Sequence, residues 1–385
     1  MKKIISVFLV IIMMLSMTAC LVGGVDGAST STEYRYEDKF LFSRLFFNDF
    51  AVITDDTFAV PGLETTQVGS DFCSTMTPQG LCVTEDYVFI SAYCSVEKYV
   101  KELEENISKG DNAAKLEREA EHETHNSVIY IIDRENGEYI KNIVLEDANH
   151  VGGLATDGKV IYVAKSSDEQ VSVIKLSSIN KAIQTKSRSV KVKYDYTVDC
   201  GCTASFVTWF DGLLWVGVFN EKENGELNSF KVNSKNYELT EKYSLPIPAK
   251  ANGACFTEIG GDVFLAVNSS YGRKNISEIH LMNVTDYGKG SMAVTETGKY
   301  FVPPTVQNCD VYDGKVYYLY ESGATCYSKV DSDLGIKSTT FAVDRVCVGD
   351  VTKLFNTCFE GSFINERLSA FAKALSDCIN NFIKI

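Results

Sequence analysis

Three of the chain's four histidines stand where imidazole chemistry could be done. His122 and His125 close the charged run Glu121-His122-Glu123-Thr124-His125, and His150 precedes Val151-Gly152-Gly153. Imidazole serves as a general base or as a metal ligand. The pair is not the helical His-Glu-x-x-His of zinc proteases, because its second histidine comes one residue too soon. No metal is therefore expected, and His122, His125 and His150 are the candidates should one be held. There is no Gly-x-Ser-x-Gly elbow, no Ser-His-Asp order and no phosphate loop, so the catalytic residues and any cofactor are unknown. Paired carboxylates of the glycosidase type are remote in sequence, and only their approach in space would reveal them.

Twelve cysteines are present. Cys20 is set apart below, which leaves Cys73, Cys82, Cys94, Cys200, Cys202, Cys255, Cys309, Cys326, Cys347, Cys358 and Cys378. Several sit inside apolar runs, as in Gly253-Ala254-Cys255-Phe256, and read as core filling. Cys200-Gly201-Cys202 is the one close pair. It lacks the second pair or the nearby histidine that a tetrahedral zinc site needs, so a structural role or a local disulfide is expected there.

The elements that would position these groups are short strands in a recurring unit. A small-residue approach leads into a strand, an acidic or glycine turn, and a strongly β-forming run. Clear copies are Pro78-Gln79-Gly80-Leu81-Cys82-Val83 through Ser91, and His150-Val151-Gly152-Gly153-Leu154-Ala155 through Val163. Others run from Ser205 around Asp211-Gly212, from Asn252 around Gly260-Gly261 and from Gln307 around Asp313-Gly314.

A third strand is expected in each unit, at Ser127 to Asp133, Val171 to Leu176, Leu227 to Val232, Glu278 to Val284 and Thr325 to Val330. A fourth usually follows, as at Tyr139 to Leu145. Four short strands per unit of roughly 50 residues are the signature of propeller blades. The expected fold class is thus an all-β five-bladed β-propeller, with six blades, a sandwich or two stacked barrels as the competing arrangements. A helical insertion in the first blade, Glu97 to Asn126, accounts for the longest interval. An N-terminal helix and strap at 33–77, a propeller at 78–354 and an amphipathic helix at 355–385 complete the plan; that helix carries Ile364, Leu368, Phe371, Leu375, Ile379 and Phe382 at helical spacing.

Strand parity puts the start of every first strand and every loop between second and third strands on one face. The candidate ligand-binding residues on that face are Gln79, His125, His150, Ser205, Asn252, Arg273 and Gln307. The opposite face is expected to receive only short turns. A binding module should show aromatic and hydrogen-bonding groups there, whereas an enzyme should show a histidine or carboxylate with a partner and a displaced pKa.

Met1-Lys2-Lys3 followed by the apolar run Ile4 to Leu15 has the layout of a secretory signal and is too short to span a bilayer. Met17-Thr18-Ala19-Cys20 resembles the lipobox of bacterial lipoproteins, with Met17 where leucine is usual. That resemblance implies cleavage after residue 19, acylation of Cys20 and a Gly/Ser-rich tether through residue 32; ordinary secretion is the alternative. The expected place is the outer side of a cell membrane, with the lipid as the sole membrane contact. A net charge of −14 argues against nucleic acid as a partner.

Val60-Pro61-Gly62-Leu63, Pro78-Gln79-Gly80-Leu81-Cys82 and His150-Val151-Gly152-Gly153-Leu154-Ala155 together resemble exported bacterial propeller proteins of unknown function. This implies fold and export and supplies no reaction. A weaker resemblance, through Pro-Gln-Gly-Leu and the blade count, is to the five-bladed, zinc-containing glutaminyl cyclotransferases. Their site is lined by several tryptophans, and this chain has only Trp209 and Trp215. The expected function is binding of a glycan, peptide or protein; the alternative is a propeller enzyme, either a metal-assisted hydrolase or lyase or one of cyclotransferase type.

Overall fold

The computed structural model describes residues 56–110, 115, 123–286, 291–328 and 342–354. The expected signal segment, Cys20, the N-terminal helix, His122 and the C-terminal helix lie outside these residues.

Among the described residues the strands form five sheets of four or five strands, antiparallel but for one edge strand, and a separate two-stranded hairpin, Thr66–Val68 with Asp71–Cys73. Blade 1 comprises Met76–Val83, Tyr87–Cys94, Val128–Asp133 and Tyr139–Val144, with Ser189–Lys191 added in parallel at its outer edge. Blade 2 comprises Gly153–Thr156, Val160–Lys165, Gln170–Lys175 and Tyr196–Asp199. Blade 3 is built from Phe206–Phe210, Leu213–Val218, Gly225–Val232 and Leu239–Ile247, and blade 4 from Ala251–Ile259, Asp262–Ser269, Ser277–Thr285 and Ala293–Val302. Blade 5 comprises Val306–Tyr312, Lys315–Tyr320 and Arg345–Asp350, and its outer strand is Asp56–Ala59 from the other end of the sequence. The first strand of each blade packs against those of its two neighbours, the fifth returning to the first, so the ring closes. That closure excludes the sandwich, the stacked barrels and a sixth blade.

The side-chain alternation explains why the sheets pack this way. On blade 1, Leu81, Val83, Val88, Ile90, Tyr130 and Ile132 face blade 5, where Tyr317, Leu319, Val346 and Val348 meet them. The intervening Cys82, Phe89, Ile129 and Ile131 face blade 2, against Leu154, Ile161 and Val163. Period-two alternation thus gives two apolar faces, one for each neighbour. The same division recurs between blades 2 and 3, 3 and 4, and 4 and 5. Second strands, apolar on both faces, are therefore buried along their length, as in Val160–Lys165.

The turns read from the sequence are present but not identical. Asp211-Gly212 and Asp313-Gly314 are two-residue turns with positive φ at both positions, 48° and 70°, and 50° and 69°. These are the values a tight twisted hairpin requires. At Asp157-Gly158 the last paired residues are Thr156 and Ile161, so that turn is wider.

Helices among the described residues include α1 (Val96–Ser108) in the blade 1 insertion, α2 (Leu176–Ile183) and the single turn α3 (Thr325–Ser328). The last corrects an expectation. The repeat predicts the third strand of the fifth unit at Thr325 to Val330, but Thr325–Ser328 is helical and Arg345–Asp350 takes the strand position beside Lys315–Tyr320. Buried Val346, Cys347 and Val348 supply both apolar faces that this position demands, between blades 4 and 1.

Candidate ligand-binding site

Three of the five first strands carry a register irregularity just where their polar residues begin: between Pro78 and Leu81, between Ala251 and Gly253, and between Val306 and Cys309. A bulge of this kind re-aims side chains at the end of a sheet. It places Gln79, Asn252, Gln307 and Asn308 at the upper mouth of the ring, the face where the first strands start.

Gln79 is buried and organises the centre of this face. Its Nε2 donates to Glu321 Oε2 at 2.9 Å and to the Pro78 carbonyl, which turns its Oε1 toward His150 Nε2 at 2.8 Å. Because that oxygen only accepts, the network assigns the proton of His150 to Nε2. Burial, with Lys98 nearby adding to it, pulls His150 down to about 4, so the ring is neutral at pH 7. Tyr93 meets it edge-on, with ring centroids 4.4 Å apart.

A second group adjoins the first. Tyr327 of α3 has Lys98 Nζ of α1 4.3 Å from its ring centroid and the Arg273 guanidinium 4.6 Å from it. Lys98 also donates to the Tyr327 hydroxyl. Burial first, then the Glu321 carboxylate, push that hydroxyl well above the usual tyrosine range. Two cations therefore flank one aromatic ring beside a carboxylate, an amide and a neutral imidazole. The Tyr327 ring is itself buried, and Lys98 and Arg273 are the groups here with the charge to grip an anion.

Of the seven residues expected from sequence, Gln79, His150 and Arg273 come together in this network. Asn252 instead ties loops, donating to the Lys250 and Ser270 carbonyls at 3.0 and 2.8 Å. Ser205 accepts from the Phe219 amide at 3.0 Å. Gln307 is buried, and its carbonyl accepts from Asn268 at 3.5 Å. His125 lies beside Cys73 and Cys94. Lys98, Glu321, Tyr327 and Tyr93 escape a reading of the sequence alone. Glu321 directly follows the second strand of blade 5, a position that strand parity also sends to the upper face, and that is the available signal.

The lower face is not bare. A cavity of about 510 Å³ opens there, lined among others by Thr84, Tyr87, Thr156, Trp209 and Asp310. Asp310 accepts from the amides of Val83 and Val311, each at 2.8 Å, yet burial pushes its carboxyl up to about 7. Trp209 stacks on Tyr162 here, while Trp215 is core, packed on Phe256. Neither tryptophan belongs to the upper network.

No protein-family model matches this chain, and no curated protein matches it. Solved structures overlay on it in part. Glutaminyl cyclase from Myxococcus xanthus is 10% identical over 72% of this chain and 93% of that one, with a TM-score of 0.39. BamB from Moraxella catarrhalis is 11% identical over 74% of this chain and 61% of that one, with a TM-score of 0.30. Hydrazine synthase from Kuenenia stuttgartiensis is 10% identical over 66% of this chain, which spans 58% of that one, with a TM-score of 0.35. Overlaps this partial carry no argument about activity; the five-bladed fold stands on the sheet order and ring closure.

Proposed function

We propose that this protein is a lipid-anchored binding module on the outer side of a cell membrane, and that its upper face takes an anionic glycan or peptide. The observation that carries the reading is the Tyr327 ring flanked by Lys98 and Arg273 at the edge of the Glu321-Gln79-His150 network. His150 has the partner and the displaced pKa expected of an enzyme, but its displacement is downward, to about 4. A ring so weakly basic at pH 7 is suited to hydrogen bonding rather than to proton abstraction.

Titration calorimetry with uronic-acid oligosaccharides and with acidic peptides tests this. Lys98→Ala and Arg273→Ala are each expected to weaken binding by roughly 10-fold or more, the effect of removing a central contact. Unchanged affinity in both variants would show that this face is the wrong one. The anchor has its own test: Cys20→Ala is expected to leave the protein unprocessed or to move it from the membrane fraction to the medium. Among the described residues no helix is long and apolar enough to cross a membrane. Unaltered membrane fractionation of processed Cys20→Ala would remove the anchor from the proposal.

One observation favours a second reading, an enzyme. Asp310, held near neutrality in the lower cavity, has the pKa of a general acid or base. Loss of a turnover in Asp310→Asn that Lys98→Ala retains would favour that reading.

A further inference from the structure

Beside blade 1, three metal-ligating side chains meet from three separate parts of the chain. Cys73 ends the strand Asp71–Cys73, which hairpins with Thr66–Val68 ahead of the first blade. Cys94 is the last residue of the second strand of blade 1, two residues before α1 begins. His125 lies where the insertion returns to the third strand, Val128–Asp133. Their donor atoms all fall within 4.8 Å of one another. Both cysteines are buried, and His125 Nδ1 is shielded from solvent without a hydrogen-bond partner.

We infer that Cys73, Cys94 and His125 bind one thiophilic divalent cation of the zinc type, which fastens the insertion and the preceding hairpin to the first blade. The inference goes beyond the binding reading and does not depend on it. The sulfurs are 3.5 Å apart. A disulfide would need about 2.05 Å, whereas two thiolates at about 2.3 Å from a tetrahedral zinc stand roughly 3.8 Å apart. The observed spacing is thus close to that of two ligands of one ion. The imidazole lone pair supplies a third ligand, and a buried Nδ1 with no partner is costly unless something accepts it.

The Thr75 hydroxyl lies 3.5 and 3.4 Å from the Cys73 and Cys94 sulfurs, and the Cys94 thiol donates to the Glu123 carbonyl at 3.7 Å, a bond that gives way when the thiol loses its proton to the ion. Two thiolates and a neutral imidazole leave an M²⁺ site without net charge, which favours it in a buried place. Loading releases the two thiol protons to solvent and involves no change of oxidation state. The fourth position is left to water or to the Thr75 hydroxyl. Zinc and cobalt prefer this donor set, whereas calcium and magnesium take oxygen ligands. Because Cys94 stands two residues before α1, the ion would also fix the helix that carries Lys98.

The full-length protein, reduced and stripped with chelator, is titrated with Zn²⁺ and with Co²⁺. One equivalent is expected to bind, cobalt giving a thiolate-to-metal charge-transfer band, and zinc is expected to slow the alkylation of Cys73 and Cys94 that transient opening of the fold permits, while leaving the half-buried Cys202 reactive. Cys73→Ser and Cys94→Ser should abolish the band, and His125→Ala should weaken binding by roughly 10-fold or more, the usual scale for a lost ligand-shell contact. Should a variant fail to fold, the wild-type protection pattern still decides. Folded, reduced wild type that takes up no metal overturns the inference, as does protection elsewhere or a Cys73–Cys94 disulfide that on reduction yields no metal-binding protein. Ligand binding at the upper face can survive any of these results, so the two readings fail separately.

Discussion

Gly153→Val is expected to lower the free energy of unfolding by about 3 kcal/mol, the upper range for forcing volume into a filled interior. The first strands converge on the ring axis, and their backbones touch through glycine. A Cβ at Gly153 would stand 2.6 Å from the Val207 nitrogen and 2.8 Å from the Phe206 Cα. One blade earlier, a Cβ at Gly80 would stand 2.6 Å from the carbonyl carbon of Gly153. These neighbours are backbone, held in sheets, and cannot swing aside as a side chain would. Gly153→Ala should already destabilise, and valine should add to it. Urea titration of both variants checks this; losses under about 0.5 kcal/mol, the range of an inconsequential surface change, would mean that the inner strands are not so tightly apposed.

Those glycines are also what makes the blades legible. A small residue recurs where a first strand passes its neighbour, visible as Gln79-Gly80, Gly152-Gly153 and Asn252-Gly253. Asp-Gly turns and period-two alternation supply the rest. The ring's closure is not legible, because Asp56–Ala59 pairs with Arg345–Asp350 across almost the whole described chain, and no local pattern announces such a partner. The same blindness explains the error at Thr325–Ser328, whose β-forming residues end in one helical turn.

The candidate site divides along the same line. Gln79 and His150 belong to the repeat and can be found from it. Lys98, Glu321 and Tyr327 sit in segments that differ from blade to blade, so nothing in the repeat marks them. Cys73, Cys94 and His125 follow no metal-binding spacing, since the topology rather than the sequence brings them together.

The stability of Asp310→Asn relative to wild type is expected to rise by on the order of 3 kcal/mol between pH 4 and pH 8, the consequence of a carboxyl whose folded pKa is displaced upward. The carboxyl, at 3.8 in its ordinary state, is pushed up to about 7 in the folded protein. Below about pH 4 both folded and unfolded chains hold the proton, and the group contributes nothing. As pH rises from there to about 7, the unfolded chain ionises while the folded one keeps its proton, so stability falls; above 7 the penalty is complete. Full conversion of the displacement would give about 4 kcal/mol, and the smaller figure allows for the open cavity beside the residue. The Val83 and Val311 amides bind different oxygens of the carboxyl, so asparagine keeps one of these bonds and loses the other, a cost that is the same at every pH and does not enter the pH dependence. His150 works in the opposite sense: its folded value of about 4 lies below the ordinary 6.5, so its contribution is lost as pH falls through that interval. The diagnostic quantity is therefore the difference between Asp310→Asn and wild type at each pH, from which the His150 contribution cancels. A difference that stays flat from pH 4 to pH 8 would show that Asp310 titrates as an ordinary carboxylate, and with that the lower cavity would lose the group that equips it to exchange a proton near neutrality.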